Sequence, residues 1–334
     1  MKYSQSEKME VIRMVEESSL SVRQTLDKIG IGRSTFYDWY KKYAEDGYDG
    51  LASRHKHSGH IWNAIPEWEK DRVTEVAKEY PERSCREIAC LVTDKYEYFI
   101  SESSVYRILK ARGLVSSPAY RIISAGEKFE HPTKRVNELW QTDFTYFKII
   151  NWGWYYLLSV LDDYSRYIIA WKLCTTMKTM EVKTVLEMAL AKTGVTRVKV
   201  YKRPRLLSDN GSCFISSELK DYLYNNEMIH IRSKPYHPMT QGKIERYHRS
   251  MKNLVLLDNY YSPEKLIEQI CRWVEYYNNY RYHESIDNVT PKDRFYGRDR
   301  EVLEQRKITK MKTMKLRRKI NRNFAIQTLT GGMN

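Results

Sequence analysis

Residues 139–174, LWQTDFTYFKIINWGWYYLLSVLDDYSRYIIAWKLC, decide how the middle of the chain folds. Three runs in this stretch, LWQTDFTYFKII, WYYLLSVLDD and YSRYIIAWKLC, are rich in the aromatic and β-branched residues that favour strands. Asn151, Trp152 and Gly153 separate the first two runs, and Asn and Gly are common in tight turns. The pattern therefore predicts three consecutive antiparallel strands.

Helix and strand alternate after these three runs. A helix is predicted over 179–192, a short apolar strand ending in RLLSDNG, a helix near 217–226, and a strand in MIHIRS. Further helices are predicted from Lys243 and over about 263–281. Three antiparallel strands followed by alternating elements predict an α/β domain with a mixed sheet.

The N-terminal residues have helical periodicity and predict a helix-turn-helix unit. A helix over 4–17 is followed by a short helix near Ser21, a turn with Gly30 and Gly32, and a helix that opens at Arg33. The third helix would present its first turns to a DNA groove, and any three-helix bundle could show the same pattern. The predicted DNA contacts are Arg33, Ser34, Thr35 and Tyr37.

A second helical unit repeats this arrangement. Helices are predicted over 66–80, in SCREIACLVTDKY and in SESSVYRILKARGL. The last is similar to a recognition helix, with Arg107, Lys110 and Arg112 directed outward, and the predicted DNA contacts are Ser103, Ser104, Arg107 and Lys110. Two such units in tandem favour DNA recognition, because each alone would hold a short site weakly.

The composition of the chain favours a polyanionic partner. The chain has 334 residues and a formal net charge of +15, which indicates nucleic acid or an anionic surface. No apolar run approaches the roughly 18 residues of a membrane span, and the N-terminus lacks the apolar segment of a secretory signal. The five cysteines are scattered without a CxxC pair, which argues against a disulfide framework or a zinc site and predicts a cytoplasmic protein.

One helix combines many cations with a single acid. The stretch HPMTQGKIERYHRSMK, residues 237–252, predicts a helix from Lys243 that also carries Arg246, Arg249 and Lys252, with Glu245 in its first turn. Glu245 could simply complement the helix macrodipole. Glu245 could instead bind a metal ion, and that role depends on two other carboxylates.

Asp143 lies in the first predicted strand and Asp209 at the end of a later one. Alone, Asp143 could be an exposed strand residue and Asp209 a turn former. The two strands could also be neighbours, and two close carboxylates repel unless a cation lies between them. Oxygen ligands suit Mg²⁺ or Mn²⁺, and a two-metal site suits phosphodiester chemistry, with Glu245 as the third ligand. Its cationic neighbours on the helix would then face the DNA phosphates, so the predicted DNA contacts are Lys243, Arg246, Arg249 and Lys252.

These residues resemble a known catalytic core. Between Asp209 and Glu245 lie 35 residues, and Lys252 follows seven positions after Glu245. With the phrases WQTDFTYF, LDDYSRYIIAW, SDNGSCF, HPMTQGKIERYHRSMK and YNNYRYHESIDNVTPKDRFYG, residues 135–297 are similar to the core shared by retroviral integrases and bacterial insertion-sequence transposases, the DDE enzymes. The helix-turn-helix units resemble those of the bacterial transposases.

The resemblance implies a ribonuclease-H-like fold with Asp143, Asp209 and Glu245 as catalytic ligands of two Mg²⁺ ions, for which Mn²⁺ would substitute. It also implies that Lys252 contacts DNA near the active site. The residues that shape the site and its loop would be Asn210, Gly211, Gln241 and Gly242. Asp162 and Asp163, which are rival carboxylates, are structural in the family pattern.

The implied function is that of a transposase, which binds terminal inverted repeats, cleaves the ends of its element and joins them to target DNA by transesterification. The implied partners are double-stranded end and target DNA and further copies of the chain in a dimer or higher oligomer, and a bacterial nucleoid location follows. Nine Lys or Arg and no acid occur over 305–322, which predicts added phosphate contacts. The alternatives are a helix-turn-helix transcription regulator and a ribonuclease-H-like nuclease that acts only by hydrolysis.

The predicted organisation has seven parts. These are a helix-turn-helix domain over 1–50, a linker over 51–61, a second helix-turn-helix domain over 62–113, a connector over 114–136, a catalytic core over 137–260, a helical extension of the core over 261–300, and a basic tail over 301–334.

Overall fold

The computed structural model describes residues 3, 5–18, 20–52, 62–114, 133–195, 203–232, 242–256 and 260–330, with side chains described as far as residue 323. Most of the predicted linker and connector, the end of the basic tail and Gln241 lie outside the described residues. The chain divides into two compact units. One contains residues 1–64 and 320–334, and the other contains residues 65–319. The seven domain boundaries stay predictions.

The first unit contains the predicted N-terminal helices. They are α1 (Gln5–Glu17), α2 (Val22–Ile29) and α3 (Arg33–Gly50), the last interrupted at Gly47. Ser21 and Gln24 cap the start of α2 reciprocally, and Gly30 ends it in the left-handed conformation that glycine adopts without strain. Apolar residues of all three helices, including Ile12, Leu26 and Phe36, form one core.

The second helical unit is built in the same way. Its helices are α4 (Glu67–Glu79), α5 (Cys85–Lys95) and α6 (Glu102–Ala111). Ser84 and Ser101 accept hydrogen bonds from the first turns of α5 and α6, which explains where these helices begin. Val73, Val92 and Val105 lie in their common core.

A mixed sheet of five strands follows, with the order β3-β2-β1-β4-β5. The strands are β1 (Leu139–Ile149), β2 (Gly153–Asp162), β3 (Ile168–Cys174), β4 (Arg205–Ser208) and β5 (His230–Arg232). The first three strands pair antiparallel, as predicted, whereas β4 is parallel to β1 and β5 is parallel to β4.

Helices cover both faces of the sheet. They are α7 (Thr179–Thr193), α8 (Ser212–Ile215), α9 (Ser217–Asn225), α10 (Gly242–Val255) and α11 (Pro263–Asn279). Leu158 and Val160 of β2 lie in the apolar cluster with α7 and α9, while Leu157 and Leu161 lie in the cluster with α10 and α11. Because side chains alternate along a strand, β2 contributes to both layers. The predicted fold class is confirmed: helical N-terminal units precede an α/β core with a mixed sheet.

The basic tail forms a helix that the sequence analysis did not predict. After α12 (Pro291–Phe295), helix α13 runs over Asp299–Thr330. Arg317 is buried and donates to the hydroxyl of Tyr98 and the carbonyl of Phe99, and Arg306 binds Asp94. These two arginines therefore hold α13 in place, and the phosphate contacts of the basic segment stay a prediction.

Among the helices of the described residues, none is both long enough and apolar enough to cross a membrane.

Candidate active site on two adjacent parallel strands

Asp143 and Asp209 are brought together by the parallel pairing of β1 and β4. Gln141 lies opposite Leu207 in this ladder, and two residues further along each chain are Asp143 and Asp209. Neighbouring strands lie about 4.8 Å apart, and paired residues of parallel strands project from the same face of the sheet. Both carboxylates also raise the pKa of the Cys213 thiol, after the larger effect of its burial, which places both of them near one sulfur atom.

The chain turns sharply after Asp209. The backbone N–H of Gly211 donates to Oδ1 of Asp209 at 3.0 Å, which fixes one oxygen of the carboxylate. A Cβ at Gly211 would lie 3.1 Å from that oxygen and 3.6 Å from the other. The absent side chain of Gly211 therefore lets the carboxylate lie against the backbone, in agreement with its predicted site-shaping role. Asn210, with the same predicted role, is exposed beside it.

Helix α10 packs across β1 and brings His248 and Lys252 to the site. Nδ1 of His248 lies 3.5 Å from Oδ2 of Asp143, and its imidazole is almost fully buried. The ammonium of Lys252 lies 4.2 Å from the ring centre of Tyr146, and partial burial lowers its pKa although Asp143 opposes this shift. Lys252 is thus near Asp143, where the sequence predicted it.

The sequence analysis missed His248 as a site residue. The signal was present in the spacing of Glu245, His248 and Lys252, because residues at i, i+3 and i+7 lie on the same flank of a helix. His248 was counted only as one of the positive residues of this helix.

Glu245 is exposed on the same flank of α10, one turn before His248. Within the described ranges, no three His, Cys, Asp or Glu side chains converge closely enough to hold a metal ion. The two aspartates fit a hard divalent cation by chemistry and by their shared strand edge, whereas Glu245 is not drawn into the pair. The assignment of all three as catalytic metal ligands stays a prediction.

The rival carboxylates, Asp162 and Asp163, are saturated with protein donors. Asp162 accepts from Ser165 and from the backbone of Asn137. Asp163 accepts from Thr133 at 2.6 Å, from Gln141 at 2.7 Å and from Lys243 at 2.5 Å. Their structural role, implied by the resemblance, agrees with these contacts.

Lys243, a predicted DNA contact, is buried and paired with Asp163 in this structure, and its role toward DNA stays a prediction. Its side chain is 7% exposed and its ammonium is held by the carboxylate and the carbonyl of Asp163. Burial, with the nearby charge of Arg166, lowers its pKa although Asp163 opposes the shift. Because a buried lysine needs a partner, this ion pair fixes the first turn of α10 to the end of β2.

The remaining predicted residues of α10 lie at its surface or its start. Arg246 and Arg249 are exposed, as DNA contacts would need to be, and Gly242 is buried at the first position of the helix.

The first helix-turn-helix unit presents its predicted DNA contacts outward. Phe36 and Trp39 of α3 pack into the core, and all four predicted residues of this helix are exposed. They are Arg33, Ser34, Thr35 and Tyr37. Their exposure agrees with a recognition role, which stays a prediction.

The second unit agrees with its prediction in part. Ser103, Arg107 and Lys110 of α6 are exposed, whereas Ser104 is half-buried and its hydroxyl lies 2.9 Å from that of Ser101. Arg112 was predicted to point outward. Instead its guanidinium donates to side chains of α4, so that it holds the helices together: the acceptors are Thr74, Glu67 and Asp71.

Comparison with protein families agrees with this geometry. The family described as "Integrase core domain" matches residues 133–238, and a second family with the same description matches 226–291. Two families described as "Homeodomain-like domain" match residues 2–52 and 35–109. Residues 133–291 are therefore similar to integrase core domains, and residues 2–109 are similar to homeodomain-like domains.

The curated relatives include transposases of bacterial mobile elements. The chain is 26% identical over 161 residues to the transposase of insertion sequence element IS904 from Lactococcus lactis, which covers 47% of this chain and 60% of that protein. It is 27% identical over 265 residues to the transposase of transposon Tn552 from Staphylococcus aureus, which covers 70% of this chain and 53% of that protein. The chain thus spans a little over half the length of these relatives.

Among solved structures, the simian T-cell lymphotropic virus intasome matches with a TM-score of 0.43 and 20% identity, over 66% of this chain and 74% of that chain. Together with the family matches, the relatives confirm the resemblance to insertion-sequence transposases with an integrase-like core.

Proposed function

We propose that this protein is a DNA transposase that binds the terminal inverted repeats of an insertion sequence, cleaves its ends and joins them to target DNA. The observation that carries the proposal is the placement of Asp143, within β1, next to Asp209, which follows the end of the adjacent parallel strand β4, beneath a helix that carries Glu245 and Lys252. Two carboxylates at one strand edge, flanked by a lysine, suit a phosphodiester substrate held close to a divalent cation.

Each part of this site has a separate task in the proposed reaction. Asp143, Asp209 and Glu245 would hold two divalent ions, which supply Lewis acidity at the scissile phosphate when bound. Glu245 would reach the pair by a change of its side-chain rotamer, since it lies on the same flank as His248. The ammonium of Lys252 would bind a phosphate next to the reacting one, because it lies beside Asp143 at the edge of the site.

The proposed reaction has two phosphoryl transfers. In the first, water attacks the phosphodiester at the end of the element, and a 3′-hydroxyl leaves. In the second, that hydroxyl attacks a target phosphodiester, a new P–O bond forms, and the target 3′-oxygen departs. Because two ends must be joined in one event, a dimer or larger assembly is part of the proposal.

The two homeodomain-like units would supply recognition of the ends. Exposed Arg33 and Tyr37 of α3 and Arg107 of α6 are placed to contact a DNA groove. A transcription regulator would use these units without the carboxylates, and a nuclease would use the carboxylates without sequence-reading units.

Strand transfer tests this function directly. Purified protein, Mg²⁺, a labelled duplex ending in the repeat that flanks the gene, and a target plasmid would be combined, and joined product measured. Glu245→Gln keeps the shape of the side chain but removes its charge. Glu268→Gln is the matched control, because Glu268 is exposed on α11 and pairs only with Arg272 among the described residues.

The native protein and Glu268→Gln are expected to form joined product, and Glu245→Gln is not. Binding of the repeat without joining by any of the three would favour a regulator. Cleavage of the repeat without joining would favour a nuclease. Equal joining by all three would exclude Glu245 from the reaction.

A further inference from the structure

A cavity of about 220 Å³ lies against α10. Five residues of α10 line it, whereas His248 and Lys252 of the same helix lie near Asp143; the five are Lys243, Arg246, Tyr247, Arg249 and Ser250. The other walls come from the turn between β2 and β3 and from the segment after α11. One helix therefore separates an acidic site from a second site of different composition.

The lining of this cavity is strongly cationic. Five of the described lining residues are Lys or Arg, and none of the described lining residues is Asp or Glu: the five are Arg166, Lys243, Arg246, Arg249 and Arg281. Asp163 binds the ammonium of Lys243 from behind the wall. The other four cations are all arginines, and a guanidinium can hold two oxygens of a phosphate at once.

Arg166 is held at the cavity at a conformational cost. Its φ is +67°, a left-handed conformation that is uncommon for residues other than glycine and costs of the order of 1 kcal/mol. Its guanidinium is largely buried, and burial lowers its pKa although Asp162 and Asp163 oppose the shift. Within the described part of the chain, Nη1 of Arg166 is buried without a hydrogen-bond partner.

His283 supplies a second buried polar atom without a partner. Its ring packs on Tyr277 with 4.7 Å between the ring centres, and burial, helped by Arg281 and Arg166, lowers its pKa to about 3. The imidazole is therefore neutral near pH 7 and can donate one hydrogen bond. As with Arg166, no acceptor or donor of the described residues reaches its buried Nε2.

We propose that this cavity binds a single phosphate group of the DNA backbone, with Arg166 and Arg281 as its principal ligands and His283 as a neutral one. An anion would give Nη1 of Arg166 the hydrogen-bond partner that it lacks among the described residues and would relieve the repulsion among the clustered arginines.

The size of the cavity and its surroundings favour a backbone phosphate over a small molecule. Pockets for small molecules usually measure about 300–1,000 Å³, and this one is smaller. Exposed Arg246 and Arg249 extend the positive surface from the cavity along α10. A strand that lies along α10 could therefore place one phosphate in the cavity. The choice of DNA as the polyanion rests on the proposed function; the anion site itself does not.

Salt dependence of DNA binding tests the site. Binding of the full chain to a labelled duplex of random sequence would be measured over a range of salt for Arg166→Gln, Arg281→Gln and the double variant. Lys220→Gln is the matched control, because Lys220 is exposed on α9, on the other face of the sheet. Melting temperatures would show that each variant is folded.

Each single variant is expected to reduce the slope of log K against log salt by about 0.9, the value for one lost phosphate contact. The double variant is expected to lose no more than a single one, because both arginines hold the same phosphate. Lys220→Gln should keep the native slope. If Arg166→Gln does not fold, Arg281→Gln alone decides. The proposal is overturned if the slope reductions of the two single variants add up in the double variant, or if the single variants keep the native slope.

A second measurement separates backbone phosphate from free phosphate. The melting temperature would be followed in inorganic phosphate and in chloride at equal ionic strength. Saturable stabilisation by phosphate that Arg281→Gln removes, with an unchanged DNA slope, would mean that the site takes a free anion and would overturn the DNA assignment. If strand transfer fails while the salt slopes are as expected, the proposed transposase function is wrong. The phosphate site in the cavity is still supported in that case.

Discussion

Two pairs of aspartates lie in the same sheet and have opposite surroundings. Asp162 and Asp163 follow each other at the end of β2, and the side chain of Asp163 is 4% exposed and bound to three protein donors. Asp143 and Asp209 are 66 positions apart in the chain, and the side chain of Asp143 is 21% exposed with His248 beside it. The pair that is adjacent in sequence stabilises the fold, and the pair joined by strand pairing has oxygens left for a ligand.

The difference follows from where each strand ends. Asp162 and Asp163 lie in a tight turn, where backbone N–H groups and the neighbouring Ser165 reach the carboxylates. Asp209 lies where a parallel strand ends at the edge of the sheet, which is where α/β folds bind their ligands. The number of protein donors, rather than the presence of a carboxylate, therefore distinguishes Asp162 and Asp163 from Asp143 and Asp209 in this sheet.

The largest effect is expected from removing the charge of Asp143 or Asp209. Asp143→Asn or Asp209→Asn should reduce strand transfer by about a thousandfold, because several kcal/mol of charge stabilisation is lost at the reacting phosphate. The rate of joining would be measured with melting temperature as the control. A variant that keeps more than a tenth of the native rate would mean that the two pairs do not differ in the proposed way.

Asp163→Asn should act on stability. It leaves the buried ammonium of Lys243 without its carboxylate, and breaking a buried pair costs about 3–5 kcal/mol. Thermal unfolding would show a melting temperature several degrees lower, while Asp143→Asn stays close to the native value. An equal loss in both variants would remove the distinction between the pairs.

Gly211→Ala should lower the joining rate less than Asp143→Asn or Asp209→Asn does. The added Cβ lies 3.1 Å from Oδ1 of Asp209, so the carboxylate must shift by a few tenths of an ångström. A loss of about tenfold in the joining rate at saturating DNA is expected, which corresponds to about 1.4 kcal/mol. Gly32→Ala is the matched control, since the closest atom to its Cβ would be Oγ1 of Thr35 at 3.7 Å. An unchanged rate in Gly211→Ala would show that the site tolerates this shift.

The smallest effect is expected in the pH dependence of stability that comes from Asp162. Burial raises the pKa of Asp162, and this outweighs its hydrogen bonds from Ser165 and Asn137. A raised folded-state pKa stabilises the protein at low pH, and this contribution is lost as pH rises through that pKa. Asp162→Asn resembles the protonated carboxyl, so its cost in unfolding free energy should be smaller at neutral pH than in mild acid. Chemical unfolding at both pH values measures this difference, and a larger cost at neutral pH would contradict it.

Sequence predicted the fold wherever a local pattern controls it. The three strands from Leu139 onward alternate or run apolar between turn residues, and Ser21, Ser84 and Ser101 mark helix starts through their own side chains. Helix α13 was missed because its charge pattern is nearly uniform around the helix, and contacts with distant Tyr98 and Phe99 fix it instead.

The site was predicted less completely than the fold. Strand alternation and a terminal turn are local signals for Asp143 and for Asp209 separately, but the residues alone left open whether their strands are neighbours, and the resemblance to a known core grouped them. The burial of Lys243 could not be predicted, because it depends on Asp163, which lies 80 positions earlier in the chain. His248 had the right helical spacing, but nothing in the sequence shows that its imidazole lies beside Asp143.

The separation of Asp143 and Asp209 along the chain also has a consequence during protein synthesis. The hairpins of β1, β2 and β3 can form as soon as these residues leave the ribosome, since their contacts are local. Strand β4 joins β1 only after α7 has been made, because parallel strands need a crossover connection. A nascent or prematurely terminated chain that ends before β4 therefore holds a folded hairpin sheet with a single open aspartate. The two aspartates can therefore lie side by side only after β4 has been made.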